Sequence, residues 1–119
     1  MTKWWNENES AIRTAIDEAE RSSGHQILVR VGPLGWRPER TANRIAAKYP
    51  AASLVFCVDP RRHRFEVRWS AGITLSEADV TEHAATHLRA HDLPAAIASL
   101  AALLPRREEG DEIPDVVTD

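Results

Sequence analysis

Asp59 and Arg64 bracket the turn Asp59-Pro60-Arg61-Arg62-His63-Arg64, the stretch best suited to chemistry. A carboxylate beside guanidinium groups stays ionised, and Arg forks clamp phosphates or carboxylates through paired hydrogen bonds. Candidate binding residues are therefore Arg61, Arg62 and Arg64, with Trp69 and Gly72 just downstream. Candidate reacting groups are Asp59, Arg64 and Asp79. A pair formed by Asp59 and Asp79 is of the type that binds calcium or assists phosphate-ester hydrolysis. Calcium needs about six oxygen ligands, however, and the chain has no EF-hand spacing. A plainer reading also holds, in which Asp59 bonds its own turn and the Arg residues form a solvated loop.

The other constellations are weaker. His83, His87 and His91 recur every fourth residue, so two of them can share one helix face and hold zinc. No HExxH pattern and no nearby Cys supports that, and a half-exposed histidine face explains the spacing without a metal. Neither a metal nor a cofactor is therefore expected. Trp4, Trp5, Trp36 and Trp69 can meet as an apolar patch, with Trp69 on the core face of its strand. The single Cys57 excludes an intramolecular disulfide and, lying in an apolar run, reads as a buried hydrophobe rather than a nucleophile. Arg61, Arg62, Arg64 and Arg68 lack interleaved exposed aromatics, and net charge is -3, which argues against nucleic acid. There is no P-loop, no GxGxxG and no supported Ser-His-Asp order.

These residues must be positioned by one domain, since 119 residues suffice for a single core. Hydrophobic content of 43% and charged content of 28% are globular values, which excludes a wholly disordered chain. Charge is segregated. Six acidic residues and no basic one follow Arg107, so the body before Glu108 carries 15 basic against 12 acidic residues. That gives an N-terminal Trp-bearing segment (1–10), a domain (11–105) and an acidic tail (106–119) expected to be disordered. No run approaches about 18 apolar residues, so no membrane span is expected. The polar start MTKWWNENES has no secretory h-region, and a cytoplasmic location is the expectation.

Periodicity supplies the elements. Ile12, Ala15, Ile16 and Ala19 predict a helix over about 8–22, stopped by Gly24. Gln26–Val31 alternates as a strand. Pro38 suits the first turn of a second helix, whose buried face reads Ala42, Ile45, Ala46 and Tyr49 before Pro50 ends it. Leu54–Val58 is continuously apolar, as in a strand covered on both faces. Phe65, Val67 and Trp69 alternate with Glu66 and Arg68, giving a hairpin around the basic turn. Thr74 or Ser76 can cap a third helix running to about Ala90, with Asp79 completing a capping box if the cap is Ser76, and Asp92 caps a last helix closed by Pro105. The order αβαββαα predicts an α/β (α+β) fold: a small mixed sheet, with a parallel crossover and an antiparallel hairpin, covered by helices.

In that order and spacing the chain resembles the TPM domain family, which includes thylakoid-lumen acid phosphatase-like and photosystem II repair proteins. Four segments carry the resemblance, which spans about 11–104. AIDEAERSSGHQILVRV (15–31) resembles the family's opening helix, Ser-Gly break and first strand. SLVFCVDPRRHRFEVRW (53–69) resembles its hairpin, with Asp59 before the turn and Arg64 opening the returning strand. Gly72 resembles a glycine that follows that strand. DLPAAIASLAALL (92–104) resembles the closing helix. The resemblance implies a phosphatase-like or divalent-metal-binding domain using the Asp59/Arg64 turn. The family's Gly-aromatic-Gly-type run reads Trp69-Ser70-Ala71-Gly72-Ile73 here, with one glycine replaced.

Two functions are therefore expected of this bacterial-type chain. The preferred one is a non-catalytic interaction or accessory module, monomeric or weakly dimeric, that meets a protein partner through the basic turn, the Trp-bearing end or the acidic tail. The alternative is a weak hydrolase of the kind the resemblance implies.

Overall fold

The computed structural model describes residues 9–106. Trp4, Trp5 and the acidic segment after Arg107 lie outside them. The elements are α1 (Glu9–Ser23), β1 (Ile27–Val31), α2 (Pro38–Lys48), β2 (Leu54–Asp59), β3 (Arg64–Trp69), α3 (Glu77–Arg89) and α4 (Leu93–Leu103). The sheet has the order β1-β2-β3. β1 runs parallel to β2, pairing Ile27 with Leu54 through Val31 with Val58. β3 returns antiparallel, so that Asp59 pairs with Arg64 and Leu54 with Trp69. This is the mixed sheet with packed helices that the element order predicts.

β2 is central, and all six of its residues are buried. Leu54, Phe56 and Val58 face the larger core, built with Ile27, Val67, Val80, Ala84 and the apolar face of α4. Val55 and Cys57 face a smaller core under α2, with Leu34, Ala42 and Ile45. A strand buried on both faces has no polar side to alternate with, which is why its sequence is a continuous apolar run. Phe65 and Trp69, on the same face of β3 as Val67, pack on the larger core. Phe65 meets Phe56 edge-on at 6.4 Å between centroids.

Caps fix the helix ends. The Ser76 hydroxyl accepts from the Asp79 N–H, and the Asp92 carboxylate accepts from the Ala95 N–H at 3.0 Å. α1 ends at Gly24, which takes the left-handed φ of +75 and bonds the Glu20 carbonyl. α2 differs from the periodic reading at one residue. Tyr49 is not on the buried face; it is half exposed and caps the helix with φ −126 and ψ 64. The ring of Pro50 disfavours helical geometry at the residue before it, so the helix stops at Lys48 and the Tyr49 side chain leaves the apolar stripe.

Cys57 sits in the smaller core as a fully buried free thiol. Burial pushes its pKa up from the ordinary 9.0; Arg30 and Arg68 oppose this and Glu66 adds to it. The neutral thiol is not a nucleophile. Native protein should therefore resist a thiol-alkylating reagent at neutral pH and react only after unfolding, as mass spectrometry would show. The sign of the linkage follows from the same shift. The unfolded chain releases this proton near 9.0 while the folded one retains it, so stability should decline as pH rises above that value. A Cys57→Ala variant should lose that component of the alkaline decline, which denaturant titrations across the range would measure.

Candidate functional site

The parallel strands β1 and β2 end at the same edge of the sheet, and the Asp59–Arg64 turn closes that edge. Asp59 is only 2% exposed. Its carboxylate accepts from the Leu34 N–H at 3.1 Å and, at a longer 3.4 Å, from the Arg62 N–H. The second bond is the local turn contact that the plainer reading describes. The first crosses to the loop after β1 and was not visible in the sequence.

That loop, residues 32–37, is bonded at nearly every peptide. The Gly32 N–H continues the sheet ladder to the Val58 carbonyl. The carbonyls of Pro33, Leu34 and Gly35 accept from Arg30 (3.0 Å), the Thr41 hydroxyl (2.7 Å) and Arg64 (3.1 Å) respectively. Leu34 is fully buried in the smaller core, and Gly35 supplies a left-handed φ of +75. The next residue, Trp36, is 97% exposed. An indole projecting wholly into solvent from a loop fixed by a buried anchor and side-chain bonds is an unusual use of a large apolar side chain. Arg37, Arg40, Arg61 and Arg62, all exposed, surround this end of the domain, with Glu39 as the exposed acidic residue of the loop–α2 junction.

The structure divides the residues singled out from the sequence. Asp59, Arg61, Arg62 and Arg64 share the turn. Trp69 closes β3 at the opposite edge, five residues or roughly 17 Å along the strand from Arg64. Gly72 follows it there, exposed, with open space around the position of a Cβ. Asp79 is exposed in the first turn of α3. The part of α3 that meets the Asp59 turn is Ala85–Arg89, so Asp79 stands roughly 9–15 Å further along the helix. The structure does not bring the two carboxylates together, and no described group of three or more His, Cys, Asp or Glu residues is arranged to hold a metal ion.

Arg64 and Arg68 also have structural partners. Arg68 reaches from β3 to Asn43 on α2 at 2.7 Å and pairs with Glu66 at 3.0 Å, tying helix to sheet. His83 bonds the Ser99 hydroxyl at 2.6 Å between α3 and α4. Sequence reasoning missed two groups. One is Trp36 as a displayed residue, grouped in the sequence with three other tryptophans. The other is His25, buried at the opposite edge of the sheet, whose Nδ1 meets the Ser53 hydroxyl at 2.9 Å and whose Nε2 meets the Pro105 carbonyl at 2.7 Å.

No helix among the described residues is long and apolar enough to cross a membrane. No family model and no curated protein matches the chain. Among solved structures, the solution NMR structure of the N-terminal domain of cg2496 protein from Corynebacterium glutamicum is similar, with a TM-score of 0.62 at 17% identity. The match covers 81% of this chain and 70% of that one. At that identity the likeness is one of fold, and it places the chain's helix-covered mixed sheet among known architectures.

Proposed function

We propose that the chain is a TPM-like, non-catalytic interaction module that meets an acidic protein segment through Trp36 and the Arg residues around it. The observation that carries this reading is the 97% exposure of Trp36 on a loop held by Asp59, Thr41, Arg30 and Arg64. A displayed, pre-ordered aromatic flanked by Arg has the character of an interface hot spot, because little conformational freedom is lost when the partner covers it. Arg37, Arg40, Arg61 and Arg62 set the sign of the partner's charge and steer its approach. Asp59, the residue best suited to react, instead serves as an acceptor for backbone N–H groups. The reading places the module in the cytoplasm, where a lone thiol such as Cys57 stays reduced.

The test is selection of a random displayed-peptide library on the full chain. Enrichment of acidic peptides carrying an apolar residue is expected. Trp36→Ala should weaken their binding by about tenfold or more, and its melting temperature should match that of the native chain because the indole touches no core. Selection without an acidic consensus, or equal affinity for the Trp36→Ala chain, would contradict the reading. So would capture by anionic lipid vesicles together with no acidic peptide.

A further inference from the structure

On the face of the Asp59–Arg64 turn that points away from Trp36, the turn and the end of α3 enclose a cleft of about 330 Å³. This is at the small end of the range of ligand pockets. Its floor is apolar: Val58 and Phe65 from the hairpin, Ala85 and Leu88 from α3. Its rim is formed by His63 on the turn and by Arg89 and His91 at the helix end; Arg64 also lines it, but its guanidinium is turned to the Gly35 carbonyl. Asp59 is the acidic residue among the lining, and its carboxylate bonds the N–H groups of Leu34 and Arg62.

The backbone supplies an independent observation. His63 and His91 are the non-glycine residues with positive φ among those described, each at 56°. His63 ends the four-residue connection between β2 and β3. His91 follows α3 in a Schellman arrangement, its N–H bonding the Leu88 carbonyl while the Asp92 N–H bonds the His87 carbonyl. Both positions favour glycine, which has no Cβ to strain. Both instead carry an imidazole, and both imidazoles line this one cleft. Strained positions of this kind collect at ligand sites.

The geometry points to a binding site for a small organic carboxylate with an apolar body, seated with its hydrocarbon on Phe65 and Leu88 and its carboxylate at Arg89 and His63. A planar carboxylate matches the guanidinium fork, and the apolar floor supplies contact that an inorganic anion cannot use. This site does not rest on the interaction proposed for Trp36, which lies on the other side of the turn.

The test is calorimetric titration of the full chain with octanoate and phenylacetate, with octanamide as the uncharged analogue and inorganic phosphate as the anion without a body. Binding of at least one carboxylate is expected, with octanamide about tenfold weaker and phosphate showing no heat. Arg89→Gln and His63→Gly should each weaken carboxylate binding about tenfold without lowering the melting temperature. Arg44→Gln, an exposed change on α2, should leave it unaltered. Absence of binding up to about 10 mM would overturn the proposal. So would octanamide or phosphate binding as well as the carboxylates, or affinity indifferent to both rim substitutions.

Discussion

Asp59→Ala should melt roughly 10–20 °C below the native chain, a loss of about 2–4 kcal/mol for a domain of this size. The carboxylate is buried and accepts from the N–H of Leu34, itself fully buried. Truncation leaves that N–H without an acceptor in a dry site and removes the turn contact to Arg62. It also removes a buried charge, which offsets part of the loss. Asp59→Asn separates these effects. Its single carbonyl oxygen can serve Leu34, but its amide group faces the Arg62 N–H, so its stability should fall between those of the native and Ala chains. Thermal melts followed by far-ultraviolet circular dichroism give the ranking. Native stability in Asp59→Ala would mean that the carboxylate is not a brace.

The second large effect is expected at the other edge of the sheet. His25→Ala should cost about 2–4 kcal/mol. The Pro105 carbonyl can only accept, so the ring donates to it from Nε2, and in the neutral ring Nδ1 then accepts from the Ser53 hydroxyl. The imidazole thereby ties the exit of α4 to the start of β2, while the backbone N–H of His25 donates to the Ser23 hydroxyl at 3.1 Å. Removing the ring orphans both partners and opens a cavity. His25→Phe restores most of the volume but neither bond, and should still cost about 1–3 kcal/mol. If Phe were as stable as His in denaturant titrations, the ring would be acting by packing alone.

Short-range features of the fold are written in the sequence, and long-range ones are not. The hairpin was legible because each half carries its own period: a continuous run for doubly buried β2 and alternation for β3. Asp92 was legible as a cap, and Ser76 as one of two candidates with Thr74, because capping acts within three residues. The long-range contacts were not. Nothing in Gly32-Pro33-Leu34-Gly35 states that Leu34 is a core residue or that Asp59, 25 positions later, receives its N–H. The charged residues of the turn are plain in the sequence, but the direction of the Asp59 carboxylate depends on the loop packed beneath it. Trp69 was legible as a core residue from the alternation of its strand, and it packs on the larger core; Trp36 stands in a loop without a period, and nothing local states that it projects into solvent. Tyr49 failed on a local rule, since the proline after it had more influence than the apolar period before it. His25 follows a helix-ending glycine, where a polar residue ordinarily signals exposure. Its ring partners, Ser53 and Pro105, lie 28 and 80 positions away and leave no local signal.

Titrating the isotopically labelled full chain with a selected acidic peptide, and mapping the backbone amide shifts, shows whether the braced loop bearing Trp36 is the working face of the domain. The amides of Leu34–Arg37, Glu39, Arg40 and Arg61–Arg64 should move together, with the Trp36 indole N–H shifting most among the described tryptophans. Shifts confined to the opposite edge, at His25, Ser53 and Gly72, with Trp36 unmoved, would contradict that role.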